Sequence, residues 1–344
     1  MKLSSIGDVT QTLPALYSLR KGLEKGPEGV EIDWLVEEPS STLLKGNPLI
    51  NNLIVVKNRG WTADFASSVR TVRFLRSRGY DMVLDFQGLM KSALWVLLSG
   101  GKRRIGFANG REFSRLALNE KVAPYDPDRH AVDRYLDLAR YAGGVGRAGG
   151  VVFPLNITEE ETERVRELLR KKGIEGDSPF FSIVSRARWK TKLWSDSSFA
   201  SFARGVVKRG KLHAVLTGKA EDRTALEALR AEAGDKAVNL AGELDLKELS
   251  ALFKLSSFVL AVDSGPMHIA AAAGAKVIAL FGPTAPWRTG PYGEGHLILR
   301  KEMDCSPCFR RRCPHGDEAG CMSAITVEEA IEAAGRLLSE GTFL

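Results

Sequence analysis

The chain has 344 residues, enough for two domains that each bury a core, and its 44% hydrophobic and 26% charged residues are those of an ordinary soluble protein. Its longest apolar run in the first hundred residues, Ala93 to Leu98, is far too short to cross a bilayer, and no apolar signal region opens the chain. The formal net charge of +7 calls for an acidic partner, whether nucleic acid, anionic lipid or phosphorylated substrate, or else describes a solvated basic surface.

In chain order, the first segment, "MKLSSIGDVTQTLPAL", is a small polar turn with Gly7 and Asp8 running into an amphipathic helix. Only Met1 to Leu3 precede the turn, so a first strand of normal length does not fit: either the sequence begins late or this strand is a stub. Asp8 is either a helix N-terminal acid, contributing ~0.3–1 kcal/mol, or a general base. Strand patterns follow at "VEIDWLV", "NLIVV" and "DMVLDF", with a helical pattern at "ASSVRTVRFLRSRG". Basic residues then gather in "GGKRRIGFANGREFSR", which holds Lys102, Arg103, Arg104, Arg111 and Arg115. The D-x-D of Asp126 and Asp128 lies in a proline-containing loop and reads as turn and cap chemistry rather than a metal site.

The glycine-rich "YAGGVGRAGGVVFPLNIT" has no hydrophobic period and marks the domain break, giving domains of 1–150 and 151–344. Beyond it, strands recur at "FFSIV", "KLHAVLTG", "SFVLAVD", "KVIALFG" and "HLILR", separated by amphipathic helices. Such alternation predicts an α/β fold with parallel sheets covered by helices. The last helical pattern, "TVEEAIEAAGRLLSEG", could pack on either domain.

Ligands of open parallel sheets gather at the carboxyl ends of the strands, so the polar turns there hold the candidate chemistry. After "FFSIV" come Ser185, Arg186, Arg188, Lys190 and Lys192, and a lysine at this place could neutralise a diphosphate. Glu221 in "LTGKAED" could hold a ribose or sugar hydroxyl, or cap a helix. In "VDSGPMHIAAAAGAKVIALFGPT", Asp263, Ser264 and Gly265 end a strand, and Pro266 suits the first turn of a helix. Free backbone N–H groups at that helix start favour a phosphate, with His268 in the first turn near enough to donate. Helix capping and a packing histidine are the plainer reading of the same residues.

All four cysteines lie in one segment, spaced C-x2-C-x4-C-x7-C at Cys305, Cys308, Cys313 and Cys321, with His315 beside them. Four thiolates at that spacing suit a structural tetrahedral zinc and, less well, an iron–sulfur cluster; reduced thiols or a local disulfide are the alternative. Neither G-x-x-x-x-G-K-[ST] nor G-x-G-x-x-G follows any strand pattern.

The segments "SSIGDVTQTLPAL", "YDMVLDFQGLMKSA", "HAVDRYLDL", "ARWKTKLW", "DSGPMHIAAAAGAKVIALFGPT" and the cysteine segment, in this order, resemble glycosyltransferase family 9, the lipopolysaccharide heptosyltransferases, and most closely heptosyltransferase I. The resemblance implies a GT-B architecture, two Rossmann-like domains facing a central cleft, with the acceptor met by the first and ADP-heptose held by the second. It implies Asp8 as catalytic base, Lys192 on the phosphates, Glu221 near the ribose, and Leu244 against adenine. It further implies that Ser185, Asp263, Ser264, Gly265 and His268 line the nucleotide-sugar site, and that the reaction inverts the anomeric carbon without a catalytic metal. The acceptor would be a Kdo-lipid A at the inner membrane surface, with the enzyme cytoplasmic and peripherally associated. Arg103, Arg104, Arg111 and Arg115, and Arg59 near Trp61, are the candidate acceptor contacts. No nucleic acid is expected as partner. The alternatives are heptosyltransferase II or another family transferase, a nucleotide-sugar binder without catalysis, and, from another class, a zinc-containing nucleic-acid-binding protein.

Overall fold

A computed structural model describes residues 1–24, 29–57, 64–146, 150–176, 178–210, 212–316 and 319–340. The chain divides into two units, Met1–Asn156 and Ile157–Leu344.

The first unit alternates α1 (Ile6–Leu23), β1 (Asp33–Glu37), α2 (Glu38–Leu44), β2 (Asn52–Val56), α3 (Phe65–Ser77), β3 (Met82–Asp85), α4 (Met90–Leu98), β4 (Arg103–Phe107), β5 (Glu120–Val122) and α5 (Ala131–Tyr141). β1 pairs with β2, and β3 with β4 and β4 with β5, every pair parallel. The stub joins these two groups. Met1 donates to Leu84 O (2.6 Å) and accepts from Phe86 N (3.1 Å), while Leu3 O accepts from Glu37 N on the other side (2.9 Å). Three residues thus stand where a central strand would, and the loop carrying Asp8 leaves from their end. The α1 helix packs along α5, and the crossing is so close that a Cβ on Gly22 would lie 2.1 Å from Gly143 O.

The second unit runs α6 (Glu159–Lys171), β6 (Phe180–Val184), α7 (Asp196–Gly210), β7 (His213–Thr217), α8 (Arg223–Ala233), β8 (Ala237–Asn239), α9 (Leu246–Leu255), β9 (Val259–Val262), α10 (Gly265–Ala272), β10 (Val277–Phe281), α11 (Pro286–Thr289), β11 (Leu297–Arg300), α12 (Gly320–Ser323) and α13 (Val327–Glu340). Its six strands are parallel in the order β8-β7-β6-β9-β10-β11. The chain starts at the centre, builds outward to one side, then returns to build the other. The strand order therefore reverses between β6 and β9, and that point is where open α/β sheets form a ligand crevice. Strands buried on both faces, such as "FFSIV" and "VLAV", explain the continuous apolar runs in the sequence. Phe181 and Phe258 stack at 5.0 Å in this core, with Phe202 edge-on to Phe181. The last helix, α13, whose placement the sequence leaves open, packs on α7 and on β10 and β11, within the second unit.

No helix among the described residues is long and apolar enough to cross a membrane.

The start of α6 is fastened to α9 by Glu161, which accepts from Lys247 Nζ (2.5 Å) and from Thr158 N (2.7 Å). Burial works to raise the Glu161 pKa, but these bonds outweigh it and hold the carboxyl at about 2, down from 4.5. The stability this supplies is fully present above pH 4.5 and is lost as the pH falls towards 2. Glu161→Gln should therefore destabilise the second unit at pH 7 and flatten the acid limb of its stability profile between those values, measured by urea denaturation across pH.

Candidate active site

In the second unit, every candidate nucleotide-site residue follows the carboxyl end of a strand. Ser185 follows β6, Glu221 follows β7, Leu244 follows β8, and Asp263 and Ser264 follow β9. Ser185 and Asp263–Ser264 therefore flank the reversal point of the sheet.

Lys192, in a short 3-10 turn after β6, reaches across that point. Its Nζ lies 2.6 Å from Asp263 Oδ2 and stands over the Trp189 ring, 4.7 Å from the centroid. Asp263 Oδ2 also accepts from Thr284 Oγ1 at 2.6 Å, so a third strand end, that of β10, joins the cluster. Arg311 covers the same Trp189 ring at 5.4 Å. Asp263 is thus less a ligand-lining group than the anchor that aims Lys192. Thr284, Trp189 and Arg311 were not singled out in the sequence; the Gly-Pro-Thr ending of a strand was the available signal for Thr284.

Ser264 is the N-cap of α10, a position where a serine hydroxyl ordinarily accepts from the first turn. Here it makes no capping bond, and its Oγ is buried without a hydrogen-bond partner. Ser185 Oγ is likewise buried and unpartnered, on a residue with no exposed surface. Two orphaned hydroxyls on either side of the reversal point are costly unless something polar joins them. Gly265 opens α10, and His268 lies in its first turn, largely buried. The helix start, two hydroxyls and a held ammonium together make a cradle for an anion.

The turns after β7 and β8 touch. Gly242 donates to Gly218 O (2.9 Å), and at its φ of +74° a Cβ would lie 2.6 Å from Ala220 Cα. This brings the Glu221 turn against the turn that carries half-buried Leu244. Glu221 itself is exposed, 3.2 Å from Lys219 Nζ.

In the first unit, Asp8 is held from three sides. Its Oδ2 accepts from Ser5 N (3.1 Å) and Ser5 Oγ (2.7 Å), which caps α1, while Oδ1 faces Lys2 Nζ (3.5 Å) and accepts from Tyr135 OH (3.3 Å). Lys2 is buried, and its ammonium also donates to Tyr135 OH (2.7 Å) and Phe86 O (3.0 Å). Burial alone would lower the Lys2 pKa, but Asp8, Tyr135 and Asp85 outweigh it and raise it, so the cation persists. Burial raises the Tyr135 phenol. Asp8 keeps 40% of its side chain exposed, enough to meet a substrate.

The segment "DFQGLMKSA" builds the floor under this loop. Asp85 Oδ1 accepts from Gln87 N (2.9 Å) and Gly88 N (3.1 Å), and Gln87 Oε1 accepts from Leu3 N (3.1 Å) and Ser4 N (3.2 Å). Lys91 donates to Glu37 Oε1 (2.8 Å) and to Ser4 Oγ. Beside Lys91 and Glu37 is a pocket of ≈ 160 Å³ that Leu3, Trp95 and Ser68 also line. Lys2, Gln87, Lys91 and Tyr135 were missed as site residues in the sequence, although three of them stand in quoted motifs.

The basic cluster does not act as one. Arg103 and Arg104 open β4, at the amino end of the sheet and away from Asp8. Arg103 makes a two-point pair with Glu120 (2.7 and 2.8 Å), and Arg104 donates to Ala117 O and Gly101 O. Both guanidinium groups hold their own sheet and loop, Arg103 while still half exposed. Arg111 and Arg115 follow the carboxyl end of β4 and are exposed, and Arg111 N donates to Gly88 O (2.9 Å). Arg59 and Trp61 lie outside the described residues. Asp126 Oδ1 accepts from Asp128 N (2.9 Å), the turn chemistry expected of that pair.

The four cysteines of the candidate zinc segment are free thiols here. Among the described residues no three His, Cys, Asp or Glu side chains group closely enough to hold a metal ion. Cys305 is exposed, whereas Cys321 is buried at α12, so close under β10 that a Cβ on Gly282 would sit 2.8 Å from its sulfur. Burial, then the nearby thiols, raise the Cys321 pKa. The segment instead clamps the carboxyl edge through ordinary hydrogen bonds. Ser306 Oγ donates to Gly282 O (2.6 Å), Phe309 N to Pro283 O (2.8 Å), and Thr191 Oγ1 to Arg310 O (2.8 Å).

Residues 68–318 match the model of glycosyltransferase family 9 (heptosyltransferase), well over half of the chain. The chain belongs to that family. It is therefore a glycosyltransferase, and this family match sets aside the nucleic-acid-binding alternative. It is similar to lipopolysaccharide heptosyltransferase 1 of Pseudomonas aeruginosa, 28% identical over 324 residues, covering 92% of this chain and 86% of that one. Among solved structures, E. coli ADP-heptose lps heptosyltransferase II aligns with a TM-score of 0.77 at 24% identity, covering 99% of this chain and all of the other. E. coli heptosyltransferase WaaC with ADP aligns at 0.74 and 22%, covering 98% of each chain. The fold is the GT-B fold of these enzymes.

Gly242→Ala combines a left-handed backbone with a backbone clash. It should cost about 1–3 kcal/mol and lower the urea midpoint of the second unit, with far-ultraviolet circular dichroism unchanged.

Proposed function

We propose that this glycosyltransferase moves a heptose from ADP-heptose to the Kdo of the lipopolysaccharide inner core, in the manner of a heptosyltransferase I. The observation that carries the donor reading is the anion cradle at the β6–β9 reversal: unpartnered Ser185 and Ser264 hydroxyls, the start of α10, and Lys192 aimed by Asp263. A diphosphate answers all of these at once. The complex of a structural relative with ADP supports the same ligand.

In this reading the second unit holds the donor and the first supplies the base. The acceptor hydroxyl oxygen bonds to the anomeric carbon as Asp8 takes its proton. The bond from that carbon to the β-phosphate oxygen breaks, its electron pair leaves with ADP, and the configuration inverts. Lys192, the amides of α10 and His268 stabilise the charge that develops on the leaving diphosphate. Lys2 and Tyr135 keep Asp8 oriented, and Lys91 and the pocket beside it are placed to meet the acceptor. Glu221 and Leu244 are assigned to the ribose and the adenine. The positive charge the step requires comes from protein groups, so no metal takes part, and turnover should persist in excess chelator.

The likeness to a heptosyltransferase II structure gives the second reading, in which the acceptor is a heptose already on the core. A panel of Kdo2-lipid A and heptosylated acceptors separates the two by which one is consumed.

Asp8→Asn should lower kcat by about 10²–10⁴-fold with ADP affinity retained by calorimetry. Lys192→Ala should weaken ADP itself, by about ten- to hundred-fold. Retained turnover in Asp8→Asn would remove the base from the mechanism.

A further inference from the structure

The first unit carries an apolar surface that its own fold leaves uncovered. On α4, Met90, Leu94 and Leu97 are exposed by 49%, 36% and 51%, and their i, i+4, i+7 spacing aligns them on one face of the helix. The opposite side of α4, with Trp95 and Val96, is buried in the core, so the helix carries apolar side chains on both faces. Packed against α4 is the 3-10 turn Ser114–Ala117, where Phe113 and Leu116 are exposed by 69% and 74%. Glu112 and Phe113 both have left-handed backbones, φ 53° and 59°, a strained arrangement for consecutive non-glycine residues. The turn holds that strain while leaving its phenylalanine in solvent. Nothing in the packing of the unit itself explains either choice.

The margins of this surface are basic. Arg111 and Arg115 are exposed on the turn, and Arg76, exposed at the end of α3, donates from Nε to Leu98 O at the end of α4. The carboxylate within the patch, Glu112, is occupied in accepting from Met90 N (3.1 Å) at the start of α4.

We infer that this surface is a membrane-docking face: Phe113, Leu116 and the α4 stripe enter the interfacial region of an anionic bilayer while the arginines meet lipid phosphates. Apolar side chains ringed by arginine are what an interfacial, non-spanning attachment requires, since its strength comes from buried apolar area plus attraction to anionic headgroups. A second copy of the chain fits less well, because a two-fold contact over this patch would bring the same arginines together. The inference rests on the proposed lipid acceptor. It adds that the enzyme reaches that acceptor by settling on the bilayer through this face rather than extracting the lipid into solution.

The test is sedimentation of the full chain with vesicles of phosphatidylethanolamine and phosphatidylglycerol, against vesicles of phosphatidylcholine, for the parent and for Phe113→Ser/Leu116→Ser. The parent should pellet with the anionic vesicles and be released by high salt. The double variant should bind about ten-fold more weakly or worse, with its melting temperature unchanged because both side chains are exposed. Its kcat and KM on a water-soluble, deacylated acceptor should match the parent, and its KM for acceptor in vesicles should rise. Equal pelleting of parent and variant, or binding indifferent to lipid charge, overturns the inference. So does a parent that ignores vesicles but self-associates through Phe113 and Leu116. If transfer to the soluble acceptor proceeds while vesicle binding fails, the proposed activity stands and only the docking face falls. Absence of transfer to any acceptor, with vesicle binding intact, separates the two the other way.

Discussion

The ion pair between Lys192 and Asp263 ties together the two strand ends on which the second unit's chemistry depends. A largely buried lysine is stable only with a partner, and a buried carboxylate likewise. By satisfying each other across the reversal point of the sheet, the two residues fix a positive charge where an anion can reach it. Thr284 restrains the carboxylate further, so the third strand end shares in the arrangement. Replacing either member leaves the other charge uncompensated, which makes the pair a structural constraint and, in the proposed function, a catalytic one.

The first unit solves a related problem with a different set of groups. There the charge to be aimed is negative, and the aiming is done by a buried lysine and a tyrosine instead of an acid and a threonine. In both units a carboxylate is paired with a lysine and also accepts from a hydroxyl remote in sequence, Tyr135 on Asp8 and Thr284 on Asp263. The surrounding α/β frame serves mainly to bring those distant parts to the carboxyl edge of a sheet.

Much of this was legible in the sequence because it is local. Alternating strand and helix patterns gave the fold class, and strand ends followed by small polar residues located Ser185, Glu221, Asp263 and Ser264. Asp8 was visible for the same reason. What the sequence could not show was partnership. Arg103 and Arg115 look alike in a basic run, but strand direction sends one to the amino edge, where it pairs with Glu120, and puts the other beyond the carboxyl edge. The cysteine spacing could not show the path of the chain around the four thiols. The segment turns to hydrogen-bond the end of β10 and buries one thiol while exposing another. Lys2 escaped notice because a lysine in a three-residue stub has no periodicity to mark it as buried.

The Tyr135–Asp8 bond joins residues 127 positions apart. On the ribosome, the amino-terminal stub and α1 emerge long before the tyrosine that completes their surroundings. Until α5 arrives, the Lys2 ammonium has no phenol to receive it, and burying it is correspondingly unfavourable. The geometry described for Asp8 is therefore complete only once α5 has been synthesised and packed, late in the first half of the chain.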